Sequence, residues 1–500
     1  MGRILSCTSV TAILFGMNTL QASADVTSAD VWDALKAQMS VYGNVTASET
    51  NSGGSLSVSD IVMATNVEDI NTSTALSGSI VFRELGDGTV AIDFPGSMTA
   101  DMTVMEAGSA PATISVTFAQ QGMTILASGD PGAITHDFSA PSMTYSLANF
   151  IVEGQPITAN FTLDLTDTVG SWLSEGTATR RQKADYTISQ IAFKGLFADP
   201  TSPDKGAFNG AINDIKVTSD SKVPEGMADL KPEELFTTGF AVDADMSFGM
   251  TTYDAQITAE GQATEIKGTI GNGSFGLGMD GERIRYSTQS NSVDISGAVT
   301  GLPFPPVDVH FDTSSLDFLM PIGKTDEAQD FTAAIKMKGV TVSDFLWAMI
   351  DPGQQLPRDA ANVVVDLSGK ANWLVNIFDE AAMETTKMPG KLESLALNDL
   401  EVTVAGASLT GSGAFTFDNN DLQSFGGMPR PLGAIDLAMS GGITLLDKLT
   451  AMNLVPQEQA MGIKMMTGMF TKPGASPDTL TTRIEVDASG AVLANGQRIQ

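Results

Sequence analysis

The sequence predicts a mainly β fold with a few helices, a β-rich α+β chain built on a large twisted antiparallel sheet. Three observations predict it. Apolar residues alternate with Ser, Thr and Asp over most of the chain, glycine-containing turn sequences recur at short intervals, and helical spacing is confined to a few segments. Forty-nine glycines among 500 residues agree with a sheet assembled largely from hairpins.

The chain opens with a segment that reads as export rather than structure. Residues 1–24 carry one basic side chain, Arg3, no acid, and an apolar stretch from Ile4 to Leu20, and they end in the small-x-small sequence Ala22-Ser23-Ala24. This is a signal peptide with a predicted cut after Ala24. A retained anchor would want about 20 strongly apolar residues, and Thr8, Ser9, Thr11 and Asn18 dilute this stretch. Cys7 precedes most of the apolar region, whereas a lipoprotein cysteine follows it. The expected mature chain of 476 residues holds 26 basic and 59 acidic side chains, a formal charge of −33, and no cysteine. Disulfides and thiolate chemistry are thereby excluded, and the acidity argues against nucleic-acid partners, whose phosphates need Lys and Arg.

After export a short helix is expected over residues 28–42, where Val31, Trp32, Leu35 and Met39 share a face, Thr27 or Ser28 can cap, and Gly43 stops it. Strand alternation follows in Leu56, Val58 and Ile61, in Ile80 and Phe82, in Val90, Ile92 and Phe94, and in Ala159, Phe161, Leu163 and Leu165. Gly86-Asp87-Gly88, Gly129-Asp130-Pro131-Gly132, Asp199-Pro200 and Asn272-Gly273 suit tight reversals. Two prolines and four acids in residues 223–235 mark a connection between an N-terminal β-rich region, residues 25–222, and a C-terminal β-rich region with helices, residues 236–500. Later helices are expected over residues 343–350, 373–385 and 445–470, the last broken at Pro456. In it Met461, Met465, Met466, Met469 and Phe470 crowd one face, which suits either packing on a sheet or contact with lipid.

No motif carries recognisable chemistry. The two histidines, His136 and His310, lie in strand-like sequence and outside any metal-ligand spacing. Asn272-Gly273-Ser274-Phe275-Gly276 lacks the first glycine of a nucleophile elbow, and its overlapping glycine fingerprint is followed by strand rather than helix. Gly323-Lys324-Thr325 has Phe318 where a phosphate loop needs glycine, and Asp418-Asn419-Asn420-Asp421 lacks the glycine and glutamate of a calcium loop. The basic cluster Arg180-Arg181-Gln182-Lys183 reads as a solvated loop between strands. Catalytic, cofactor-binding and metal-binding residues are accordingly assigned to none, and no cofactor is expected. Four Trp and five Tyr are too few for the aromatic girdles of a membrane barrel.

Asp30-Val31-Trp32 with Tyr42-Gly43, Asp87-Gly88-Thr89-Val90, Leu409-Thr410-Gly411-Ser412-Gly413, Asp436-Leu437-Ala438-Met439-Ser440-Gly441 and Val492-Leu493-Ala494-Asn495-Gly496 resemble the DUF2125 family of proteobacterial envelope proteins. The resemblance implies an envelope location and supplies no catalytic residues. The C-terminal order of strands, helix and final strand is similar to that of large envelope proteins with curved sheets, some of which carry lipid in an apolar groove. The expectation is a non-enzymatic periplasmic protein, without a transmembrane span in its mature chain, whose sheet curves into a groove over C-terminal helices and binds a lipid-like ligand or an envelope partner. A packed scaffold without ligand and a carboxylate-based hydrolase are the alternatives, and alternation is common to a groove and a packed sandwich.

Overall fold

Period-2 patterning lets each run of the chain present one apolar face, and strands form wherever it occurs. The computed structural model describes residues 25–499 apart from residues 68–69, 107, 153, 177–178, 199–201, 228–229, 231, 236, 303 and 387. The signal-peptide segment and the Asp199-Pro200 turn therefore lie outside the described residues. The strands join in one large antiparallel sheet, accompanied by helices α1 (Ser28–Met39), α2 (Pro232–Leu235), α3 (Asp344–Ile350), α4 (Glu380–Thr385), α5 (Gly442–Ala451) and α6 (Gln457–Phe470). The chain divides into two compact units. The first holds the described residues up to Lys267 with Val299–Gly301, and the second holds Gly268–Ala298 and the described residues from Leu302 onward.

The first unit is closed around α1. Thr27 caps this helix in a reciprocal capping box with Asp30, and Val31 and Trp32 enter the core fully buried. They pack with Leu56, Val58, Phe82, Val90, Ile92, Ile134, Phe138 and Trp172. The buried Trp32 indole is satisfied by Glu49 Oε1 at 2.7 Å, which also pairs with Lys36 at 3.1 Å. These bonds, the Trp32 one foremost, hold the Glu49 carboxyl below its usual range. His136 lies directly opposite Trp172 in the ladder and stacks on it, with ring centroids 4.1 Å apart and planes within 3°. It is wholly buried, and burial drives its pKa down to about 3.

A crease crosses the long strands of this unit. Asp167 and Asp214 adopt left-handed conformations, φ 48° and 53°, inside strands Thr158–Glu175 and Lys205–Pro224. The ladders skip the row Pro141, Asp167, Ser189, Asp214. Alternation changes phase there: Ile134, Phe138 and Ala140 are buried on one side of the crease and Met143 on the other, yet all four join the same core. The second unit repeats the device, with Ser292 at φ 51° facing Asp312 across a skipped pair.

Several local expectations give way to tertiary contacts. Asn272-Gly273 lies inside strand Gln262–Met279, because Glu260-Gly261 takes the left-handed turn instead and the Asn272 amide oxygen accepts from Asn291 Nδ2 at 2.8 Å across the ladder. Trp373 ends strand Ala361–Trp373 rather than starting a helix. Its indole donates to the Pro321 carbonyl at 2.8 Å, and the helix waits for the Asp379 cap at Glu380. Arg180–Lys183 is not a loop but the start of strand Thr179–Ala198, where Arg181 grips Asp220 at 2.6 Å and Glu175 at 3.4 Å. Residues 223–235 hold the end of a strand at Pro224, a turn, and the single-turn α2.

Three outcomes test this account. Phe82→Ala, which empties the centre of the α1 core, should cost about 3–5 kcal/mol in urea denaturation of the mature chain. Asp214→Val places a β-branched residue at positive φ and should lose about 1–3 kcal/mol, whereas Asp214→Gly should melt no earlier than the parent. The unfolded His136 ring binds its proton near pH 6.5 and the folded ring only near pH 3, so stability contributed by the neutral ring is complete above 6.5 and declines on acidification. The expected slope is about 1.4 kcal/mol per pH unit in that window. His136→Phe, which keeps a ring on Trp172, should lack this component in denaturation curves compared at roughly pH 6 and pH 4, and identical slopes would mean that His136 titrates normally.

Candidate apolar binding face

In the second unit, antiparallel register gathers the alternating apolar residues of seven neighbouring strands into four parallel rows. One row runs Met337, Val363, Val402, Leu409, Met439, Leu480, each residue directly opposite the next. The next runs Leu316, Ile335, Val365, Leu400, Gly411, Leu437, and the third Phe318, Ala333, Leu367, Leu397, Gly413, Ile435, Ile484. The last runs Phe331, Gly369, Leu395, Phe415, Gly433, Val486. No charged residue falls in any of them.

The opposite face of the same strands holds the charges. Lys336 pairs with Asp366 at 2.8 Å, Lys338 with Glu401 at 3.3 Å and Arg483 with Asp436 at 2.6 Å. The Lys336 bond holds the Asp366 carboxyl below its usual range, and a bond from Asn362 does the same for Glu401, with Lys338 adding to it. One face thus carries the ion pairs, among which Ala334 and Val364 are buried, and the other is uncharged and mostly apolar, with Ser314 and Thr482 at the margins of its rows.

That hydrocarbon face is open. Ile335 is 50% exposed, and Val363, Leu316 and Phe318 are also among the exposed large apolar residues, while the cluster of fully buried apolar residues lies in the first unit. Contiguous exposure of this kind is uncommon on a protein surface without a partner or ligand.

The first unit carries a smaller version in strands Thr158–Glu175, Thr179–Ala198, Lys205–Pro224 and Thr251–Ala259. Its rows are Ala159, Phe197, Gly206, Ile257; then Phe161, Gly195, Phe208, Ala255; then Leu163, Phe193, Gly210, Tyr253. The rings of Phe193, Phe197 and Phe208 lie over the glycines opposite them. A Cβ at Gly195, Gly206 or Gly210 would strike the ring of Phe208, Phe197 or Phe193. Phe331 covers Gly369 in the same way in the second unit. Rings laid over glycines give a smooth apolar floor and restore the packing that glycine alone denies a strand. The sequence signal for it is Gly-x-Phe, seen at Gly195-Leu196-Phe197 and Gly206-Ala207-Phe208. Beside α1 a separate apolar cavity of about 230 Å³ is lined by Leu35, Met39, Ile61, Met63, Phe94 and Trp172, among others.

The residues weighed for chemistry in the sequence stay apart from these surfaces. His136 is a core ring. His310 sits exposed between Asp294 at 2.8 Å and Asp312 at 3.2 Å, whose bonds, that to Asp294 first, raise its pKa. Lys324 and Thr325 tie their loop to Trp373. Arg430 fills the space between Asp418 and Asp421 at 3.1 Å from each, so those carboxylates neutralise a cation of the chain itself. Asp351 is the fully buried acid among the described residues, and its oxygens accept the backbone N–H groups of Gln355 and Leu356. Among the described residues no group of three His, Cys, Asp or Glu side chains is placed to hold a metal ion.

A family model described as an uncharacterized protein conserved in bacteria, DUF2125, matches residues 247–496. No curated protein and no solved structure matches the chain. The family match spans half of the chain and includes every strand of the four apolar rows. The chain is therefore a member of the DUF2125 family of bacterial proteins.

Proposed function

We propose that this protein is exported to the periplasm, released by cleavage after Ala24, and binds an apolar, lipid-like ligand along the open sheet face of its second unit without transforming it. The observation that carries this reading is the set of four uncharged rows, most of whose side chains remain partly exposed. Covering about 200 Å² of such surface with acyl chain contributes about 5 kcal/mol at 25 cal/mol per Å². A ligand that is itself apolar and unbranched needs no directional partner, and the rows offer none. No described helix is long and apolar enough to cross a membrane.

Export accounts for the acidic, cysteine-free composition of the mature chain, and its strong net charge keeps a sheet with exposed hydrocarbon from associating with copies of itself. The solvated face serves that purpose locally, since edge pairing or stacking would bring carboxylates together.

Native mass spectrometry of residues 25–500, purified from the periplasm of the host without detergent, should find lipid bound in stoichiometric amount. An empty, stable monomer would count against the ligand. Ile335→Glu combined with Val363→Glu should lower co-purified lipid by at least about tenfold, the equivalent of 1.4 kcal/mol, while shifting the melting midpoint by only a few degrees. Thr481→Glu, on the solvated face, should leave the lipid content unchanged.

A further inference from the structure

Helix α6 is inside out. Its inward side carries Ala460, which is buried, Lys464, which pairs with Asp447 of α5, and Thr467. Its outward side carries Met461, Met465 and Met469, which are 64%, 65% and 58% exposed, with Met466 beside them. The expected packing of this face on the sheet does not occur. A helix in water ordinarily turns its charges outward and its apolar residues inward, so an apolar environment is the natural complement of this face.

The neighbouring segments agree. Helix α3 leaves the sheet after Val342, and α5 and α6 are inserted between Ser440 and Thr479, which pair with each other. The ladder from Val342 through Val340, Ala361, Asn362, Thr403, Ser408 and Ser440 places both departures at one end of the second unit. Met349, Ile350 and Phe304 are exposed there, with the Phe304 ring 5.4 Å from that of Phe345.

Several charges at this end are paired within the chain. Asp344 pairs with Arg358, Asp447 pairs with Lys464, and Lys448 donates to the Gln355 carbonyl at 2.9 Å. Residues 442–472 hold three lysines against two acids, in a chain with 27 basic and 59 acidic residues. The segment that carries α5 and α6 therefore lacks the excess of acid that the rest of the chain carries. A second copy of the chain, itself at −32, is disfavoured as occupant by the same electrostatics.

We propose that this end of the second unit docks on a phospholipid bilayer, with the Met461, Met465 and Met469 face of α6 lying in the interface between headgroups and acyl chains. Interfacial helices bind through buried apolar area plus attraction to anionic lipid, and unbranched Met side chains adapt to a fluid surface. The docking surface is distinct from the sheet face proposed to hold ligand and goes beyond that reading.

The test is flotation of the mature chain with vesicles of phosphatidylethanolamine containing a minority of phosphatidylglycerol. The parent chain should float, and a chain carrying Met461→Asp, Met465→Asp and Met469→Asp should fall to the vesicle-free level while keeping its melting midpoint and co-purified lipid. Should the triple variant melt early, Met465→Asp alone should give a partial loss of flotation. Equal flotation of parent and variants would overturn the proposal. So would a parent that does not float, and a concentration-dependent dimer lost in the triple variant would then assign the face to a second copy.

Discussion

A one-residue slip of any strand in the second unit would turn its apolar side chains toward the face that carries Lys336, Asp366 and Glu401. Register is thus the constraint on which the surface depends. It is held from both sides of the sheet. On the solvated side, ion pairs such as Lys336 with Asp366 span neighbouring strands; each is worth at most about 1 kcal/mol, yet each is satisfied in only one register. On the apolar side, Phe331 fits over Gly369 and Phe208 over Gly195 because those glycines lack a Cβ. A slipped strand would set a side chain against the ring.

The two units use the same strand chemistry toward different ends. In the first, α1 closes over the sheet, and its capping box and the Trp32 to Glu49 bond fix the helix where Val31 and Trp32 can be buried. That arrangement yields a core with His136 stacked and neutral inside it. In the second, most residues of the rows stay partly exposed, and α3, α5 and α6 leave from one end of the sheet. The left-handed residues Asp167, Asp214 and Ser292 let strands of up to 20 residues change the phase of their alternation while keeping apolar groups on one side. They mark where long strands bend.

Much of this was legible in the residues. The α1 helix, its Thr27 cap and the alternation at Leu56, Val58, Ile80 and Phe82 all emerge as the sequence predicts, because caps and period-2 burial are local properties. Helices near residues 343–350 and 445–470, with the break at Pro456, follow for the same reason. Asn272-Gly273 and Trp373 did not behave as their local sequence suggests, since a turn dipeptide and a helical spacing both yield to a cross-strand hydrogen bond when the ladder supplies one. The apolar floor was missed for a related reason: Gly-x-Phe has meaning only once the strand opposite is known.

By itself, the sequence determined the mainly β class, the sidedness of each strand, the first helix, and the affinity with a family of bacterial proteins. Those follow from propensity, period and capping, which act over a few residues. Only the tertiary structure decided which apolar faces are covered. The faces of α1 and α6 are both apolar, but Trp32 packs on Phe82 whereas Met465 is 65% exposed. Coverage depends on where a distant segment comes to rest, and hydrophobic patterning states the need for a partner surface without specifying who provides it.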